Sequence, residues 1–569
     1  MEELESVGNQ LQTVLDQYLG ICAKMDDLSS REGVLRNVPQ GYLNRIGTEI
    51  ARFPSYHQAL GWAEATVNRV RNRIPQLTPI SSVPPEILTH IFHLVANPCD
   101  LLDSNYEDSD SSTSPSLSEY SDNDSSSSRP KRPRSKALRL ENFPTHLDRL
   151  THVCSYWRRV AIDSPSLWVH IDFFPHKTLS ASLLIRAETY AARAAELPIE
   201  LHVADDSPAV YQDAPLRQFL TSIRNRVKSL DIAVICRWKY FHQLVLNELF
   251  PDHLSDSQAG IFTKLTTSFP MAGDETDEFF DWFDDTNNSF LCLTVLHCRG
   301  LFPFWGSTAY NNLVDLRLTP ASDTYWTRIS ERELRNILKT SPGLRIIHFG
   351  LYMSHRQRDD VSVKPAPLND LEVVSISTDR GVHDPVLRPG DVLRLLAPGS
   401  KPLRLSIWHR YHKYYETANG NYDEFSVDEL VRFFQRSNVT KFYTKGGFPG
   451  LNQLFGRASN LEDLAFDSCA ILAGDADFPP PDIPTFPRLN SLIFRNCILR
   501  SPPLQAMLRV YPADQVILSA CNLFRLGLPS FSRGPVAQVS TPLEGFPNTR
   551  LVVYDNQLFD PITKWELVD

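Results

Sequence analysis

The strongest constraint on this chain of 569 residues is a spacing, L-x-x-L-x-[L/C/I/F], that recurs through its second half. Leu293, Leu296 and Cys298 show it first. It returns at Leu313, Leu316 and Leu318, at Leu344, Ile347 and Phe349, and at Leu371, Val374 and Ile376. It appears again at Leu461, Leu464 and Phe466 and at Leu489, Leu492 and Phe494. Alternate residues of a short strand point to one side, so each apolar set needs a neighbouring copy to cover it. In the last two copies a cysteine follows three residues on, Cys469 and Cys497. A small side chain there can satisfy backbone groups in the turn or fill a small gap. The copies start 20, 31 and 27 residues apart and, after a gap, 28 apart. Two architectures fit this uneven spacing: an irregular horseshoe of stacked repeats, or several βα units that share the pattern. Helices are expected between strands at Glu331–Thr340, with Leu334, Ile337 and Leu338 on one face, and at Val427–Gln435, with Leu430, Val431 and Phe434.

The N-terminal part has a different period. Over residues 3–28, Leu4, Val7, Leu11, Val14, Tyr18, Ile21, Met25 and Leu28 alternate spacings of three and four, an a/d seam. Either one amphipathic helix packs on its own domain, or a short coiled coil makes a homodimer through residues 3–28. Gly8 and Gly20 each weaken that helix by about 1 kcal/mol relative to alanine. A second helical stretch is read at residues 56–72, from Tyr56, Leu60, Ala63, Val67 and Val70.

Composition excludes some classes. The net charge, 57 − 67 = −10, argues against nucleic acid and anionic membranes as partners. The sequence opens MEELESVGNQ, with no apolar signal segment, and no run of about 18 apolar residues occurs to span a membrane. The nine cysteines form no C-x-x-C pair, which points to reduced thiols in the cytoplasm or nucleus.

Residues 97–142 are different in kind. A serine-rich acidic run is followed by RPKRPRSK, and the apolar content is too low to offset the entropy of ordering, so disorder is expected. Ser104, Ser116 and Ser121 each have an acidic residue three positions on, the pattern of acidophilic phosphorylation sites. Arg129, Lys131, Arg132, Arg134 and Lys136 form a basic cluster of the nuclear-import kind.

Two segments flank that insertion. In the first, Pro84, Pro85 and Glu86 suit the first turn of a helix, and Ile87, Leu88, Ile91, Phe92 and Val95 follow as an apolar stripe. In the second, Leu147, Leu150, Val153, Cys154, Trp157, Val160 and Ala161 share one helical face. Ser164-Pro165 ends that helix, and Leu167 and Trp168 begin the next element. Together the segments, P-x-E-I-L-x-x-I-F and V-C-x-x-W-R-x-V-A-x-x-x-P-x-L-W, resemble the two halves of an F-box. The chain as a whole looks like the large F-box families of mushroom-forming fungi, with a divergent C-terminal domain similar to leucine-rich repeats. The resemblance implies that Pro84, Ile87, Leu88, Ile91, Phe92, Val153, Cys154, Trp157, Leu167 and Trp168 bind a Skp-type adaptor and, through it, a cullin. It departs from the family in one respect. A typical F-box joins its first helices by a few residues, whereas here about 50 intervene, which loop-closure entropy tolerates at about 0.6 kcal/mol per doubling of length.

No P-loop, zinc-protease, nucleophile-elbow or dinucleotide motif occurs. No enzyme, metal site or cofactor is therefore expected. The expected fold class is α+β or α/β repeat: an N-terminal helical segment (1–75), an interrupted F-box (76–172), and an irregular leucine-rich-repeat-like solenoid (173–569) that binds an unknown protein client. The alternative is a non-catalytic scaffold that keeps the F-box fold without recruiting a ligase.

Overall fold

A computed structural model of the chain describes residues 2–29, 39–71, 74, 79–96, 146–173, 180–205, 213–234, 240–250, 261–269, 279–280, 292–320, 327–354, 364–377, 388–408, 427–445, 458–471, 488–524, 539–543 and 546–554. The insertion at 97–142, with Ser104, Ser116, Ser121 and the basic cluster Arg129 to Lys136, lies outside the described residues. The chain divides into two compact units. One is Met1–Phe92 with Asp148–Ala161, and the other is His93–Leu147 with Ile162–Asp569.

The first unit is helical. α1 spans Glu2–Ser29, over the expected seam, and α2 spans Gln40–Arg71. The sequence placed the start of α2 too late, because the helix runs through Pro54. An internal proline forfeits one backbone bond and costs about 3 kcal/mol. Ring contacts beside it offset part of that loss. Phe53 packs edge-on against Tyr18 of α1 and against Tyr56, each at 6.3 Å. The Tyr18 hydroxyl also donates to Glu49 Oε2 at 3.4 Å. The seam itself stays uncovered: Leu4, Val7, Leu11 and Val14 are 46–58% exposed. None of the described side chains of α2 is buried.

α3 spans Pro85–Val95 and belongs to this unit as far as Phe92. Its buried residues are Leu88 and Phe92, one helical turn apart. The second segment, whose apolar face predicts one helix, forms two, α4 (His146–Val153) and α5 (Ser155–Ile162). Cys154 is the break. Its sulfur accepts from the Trp157 backbone N–H at 3.4 Å, a capping contact for α5. Arg158 Nε donates to Thr151 O at 2.9 Å, taking up a carbonyl at the end of α4. One orphaned group at each of the two helix ends is thus satisfied at the break.

The second unit combines helices with a large parallel sheet. Fourteen parallel strands run from β1 (His170–Phe173) through β2 (Ile199–Asp205), β3 (Val227–Val234) and β4 (Lys264–Ser268) to Phe546–Tyr554, each beside the next in chain order. Val539–Leu543 then pairs antiparallel with that last strand. The six predicted copies occupy six of the fourteen, and every apolar residue named in them is buried. The gap between copies is filled by Leu403–Trp408 and Val439–Lys445. Both expected helices form. Glu331–Thr340 is opened by a capping box of Ser330 and Glu333, and Val427–Arg436 buries Leu430, Phe433 and Phe434.

The strand ends are closed by a recurring device. Gly300, Ser468, Asn496 and Ala520 have left-handed backbones, with φ between 50° and 71°. Each donates its backbone N–H to a carbonyl of the next strand, for example Ser468 to Arg495 O and Asn496 to Ser519 O, both at 2.9 Å. A cysteine follows in three of them. Cys497 Sγ lies 3.1 Å from Arg495 O and 3.4 Å from Phe466 O, and Cys521 Sγ lies 3.2 Å from Phe494 O and 3.3 Å from Ser519 O, so each thiol sits between a carbonyl of its own strand and one of the preceding strand. Satisfying backbone groups is one of the two roles expected of Cys469 and Cys497; Cys469 Sγ reaches Asp467 O at 3.2 Å, and Cys521 behaves like them. Among the described residues the cysteines form no disulfide, and no helix is long and apolar enough to cross a membrane.

Candidate functional site

In the first unit the two segments flanking the insertion come together. The Tyr156 hydroxyl of α5 donates to Val83 O at 3.0 Å, just ahead of α3. The Trp157 ring lies 5.1 Å from Phe92 of α3, tilted by 58°. That contact sorts the predicted adaptor residues. Leu88 and Phe92 face inward and are fully buried. Ile87 and Val153 are 54% and 56% exposed, and Pro84 is exposed. Ile91, Cys154 and Trp157 are half-buried, each offering an edge to solvent. Six of the ten residues therefore remain accessible, with the apolar surface concentrated on Ile87, Ile91, Val153 and Trp157.

Leu167 and Trp168 belong to the second unit and are interior there. The short turn Pro165–Trp168 leads directly into β1. The Trp168 ring packs edge-on against Tyr190 at 4.9 Å, and the Arg193 guanidinium sits 4.3 Å from its centroid. Tyr190 and Arg193 thus pack on the indole, and both Leu167 and Trp168 are buried at the start of the sheet.

The sheet brings together a second set of residues that sequence reading passed over. The residue between the second and third apolar positions of each copy points to the opposite face. Register aligns these residues into one row: Asp172, His202, Asp231, Thr266, His297, Arg317 and His348 over the first strands. The row then passes through Ser375 and Ser406 to Tyr443, Ala465, Ile493, Ile517 and Val552. The last five form a buried apolar cluster with Trp408 and Tyr554 packed against it. The charged half stays partly open, with the side chains of His202, Asp231, His297 and Arg317 only 20–29% exposed.

The charges in that half are held by neighbours. Asp315 is partly buried, which opposes its charge, yet His297 Nε2 at 3.0 Å and a two-pronged contact from Arg317 hold its carboxyl down at about 2. Burial, with the Arg317 guanidinium nearby, pushes the His348 imidazole down to about 4. Burial raises the Asp172 carboxyl against the opposing pull of His202. In the other half Asp467 is buried but fully engaged. It accepts from Tyr443 Oη at 2.9 Å, Ser468 Oγ at 2.9 Å and Asn496 Nδ2 at 3.2 Å.

The row was readable in principle: the middle residue of L-x-L in the first four predicted copies spells His297, Arg317, His348 and Ser375. Residues 274–285, DETDEFFDWFDD, mix acidic and aromatic side chains, and of them only the backbone of Phe279–Phe280 is described, as a two-residue strand. A scan of protein-family models and a search of curated proteins found no match to this chain.

Proposed function

We propose that the chain is an F-box adaptor subunit of a Skp–cullin–F-box ubiquitin ligase. The observation that supports this most is the pairing of α3 with α5. Two segments separated by a long insertion meet through Tyr156–Val83 and Trp157–Phe92, and they leave Ile87, Ile91, Val153 and Trp157 accessible. Exposed aliphatic and aromatic side chains on short helices are a docking surface for a hydrophobic partner. The second unit, read as a leucine-rich-repeat-like solenoid, holds the protein client on the charged half of its second face. The apolar half is already buried. The mechanism is proximity. Tethering raises the client's effective concentration at the ubiquitin carrier, and other subunits perform the chemistry.

The test is co-purification of the full chain with a Skp-type adaptor, comparing wild type with Ile87→Asp/Val153→Asp. Both residues are more than half exposed, so the double variant should melt within about 0.5 kcal/mol per site of wild type. Adaptor recovery should fall at least tenfold. A wild-type chain that captures no adaptor while retaining other partners would favour the ligase-free scaffold.

A further inference from the structure

β1, β2 and β3 lie side by side, and their register sets His170 opposite Glu200, Asp172 opposite His202, and His202 opposite Asp231. One donor atom from each of His170, Glu200 and His202 lies within 4.8 Å of the other two. His170 Nδ1 is 3.0 Å from Glu200 Oε2. The edge of a tetrahedral site with N and O ligands at 2.0–2.1 Å is about 3.4 Å, so this pair is already near ligating separation.

His202 is held from behind. Its Nδ1 faces Asp231 Oδ2 at 3.7 Å, while its Nε2 is buried and has no hydrogen-bond partner. Asp172 Oδ1 and Asp231 Oδ1 are buried without partners as well, and Asp172 is only 9% exposed. A simple pair of surface ion bridges would leave its spare atoms in water. Here three polar atoms on adjacent strands are desolvated and unsatisfied, the condition a bound cation relieves. Two imidazoles and a carboxylate form the donor set of divalent transition ions. A carboxylate behind a ligating imidazole is the usual device for fixing its tautomer and orientation, and Asp231 stands in that place.

We propose that His170, Glu200 and His202 bind one divalent transition-metal ion of the zinc type, with His202 ligating through Nε2 and Asp231 positioning its ring. Three protein donors leave a coordination position open toward the second face of the sheet, next to Asp172. The proposal stands independently of the adaptor reading, because every group it uses lies on the first three strands of the second unit.

The full chain, stripped with a chelator, is titrated with cobalt(II) and then with zinc(II), and followed by visible absorption and calorimetry. Wild type should take up about one equivalent, show the intense absorption of low-coordinate cobalt, and lose it when zinc displaces the cobalt. His202→Asn and Glu200→Gln should abolish the signal. Asp231→Asn should weaken zinc binding roughly 10- to 100-fold without abolishing it. His348→Gln, on the same face but away from the cluster, should change nothing. Melting curves in chelator show whether each variant is folded, and His170→Gln replaces any that is not. The assignment is overturned if wild type gives no cobalt absorption, if its zinc Kd is weaker than about 0.1 mM, or if His202→Asn binds zinc as wild type does.

Discussion

The helical pair α1–α2 and the parallel sheet use their apolar residues in opposite ways. In α1, side chains at a/d spacing lie along one stripe and remain about half exposed. In the sheet, side chains at alternate positions are almost all buried, because each strand is covered by the next. Periodicity is thus enough to build an element in both cases, but burial needs a second surface. The sheet supplies that surface from its own chain at every step. The α1 seam meets α2 around Tyr18, while Leu4, Val7, Leu11 and Val14 stay exposed, and a homodimer through residues 3–28 is one of the two readings its spacing allows.

The largest effect should come from removing a ring inside the sheet. Phe494 is fully buried and stacks on Phe466 at 5.6 Å, so Phe494→Ala should cost about 3–5 kcal/mol in denaturant unfolding. A loss under about 1 kcal/mol would show that the strands do not share one packed core.

A pH series should give the next largest effect, confined to the charged half of the second face. The unfolded His348 takes up a proton near its ordinary value of 6.5, but the folded one does so only near 4. Between those values the unfolded state binds more protons, so stability falls as the pH drops through that window, by up to about 3 kcal/mol. His348→Gln should flatten the slope there. Asp315 acts in the same sense at lower pH. Its contribution is complete above 3.8 and is lost as the pH falls toward about 2.

On α1 the expected change in stability is smallest. Leu11→Asp should alter sheet unfolding by no more than about 0.5 kcal/mol. Its readout is mass: if residues 3–28 pair two copies, sedimentation should shift from dimer to monomer. A wild-type chain that already sediments as a monomer would remove the dimer.

Legibility followed the same division. The triples at Leu316-Arg317-Leu318 and Leu492-Ile493-Phe494 announced strands because a period of two is a local property. The copies at Leu201-His202-Val203 and Leu551-Val552-Val553 escaped notice because valine replaces leucine and the earlier apolar position is missing. The break at Cys154 was invisible to periodicity, since the apolar face continues across it. Only the sulfur cap and the Arg158–Thr151 bond show why the chain turns there. Among the residues proposed to bind the adaptor, sequence pattern could not separate Phe92 from Ile87. Both lie on one wide stripe, and only the position of Trp157 decides which is covered.

By itself the sequence determined that the C-terminal region would form strands and which side chains would face inward, because alternation along a strand depends only on nearest neighbours. It likewise determined the helices of the N-terminal region through their spacing of three and four. Tertiary structure alone decided which of the outward residues meet. His170, Glu200 and His202 converge, Asp315 gains His297, and Tyr443 reaches Asp467, because inter-strand register depends on how each connecting segment folds back. No local pattern encodes that register, so chemistry assembled across strands becomes visible only when the strands are side by side.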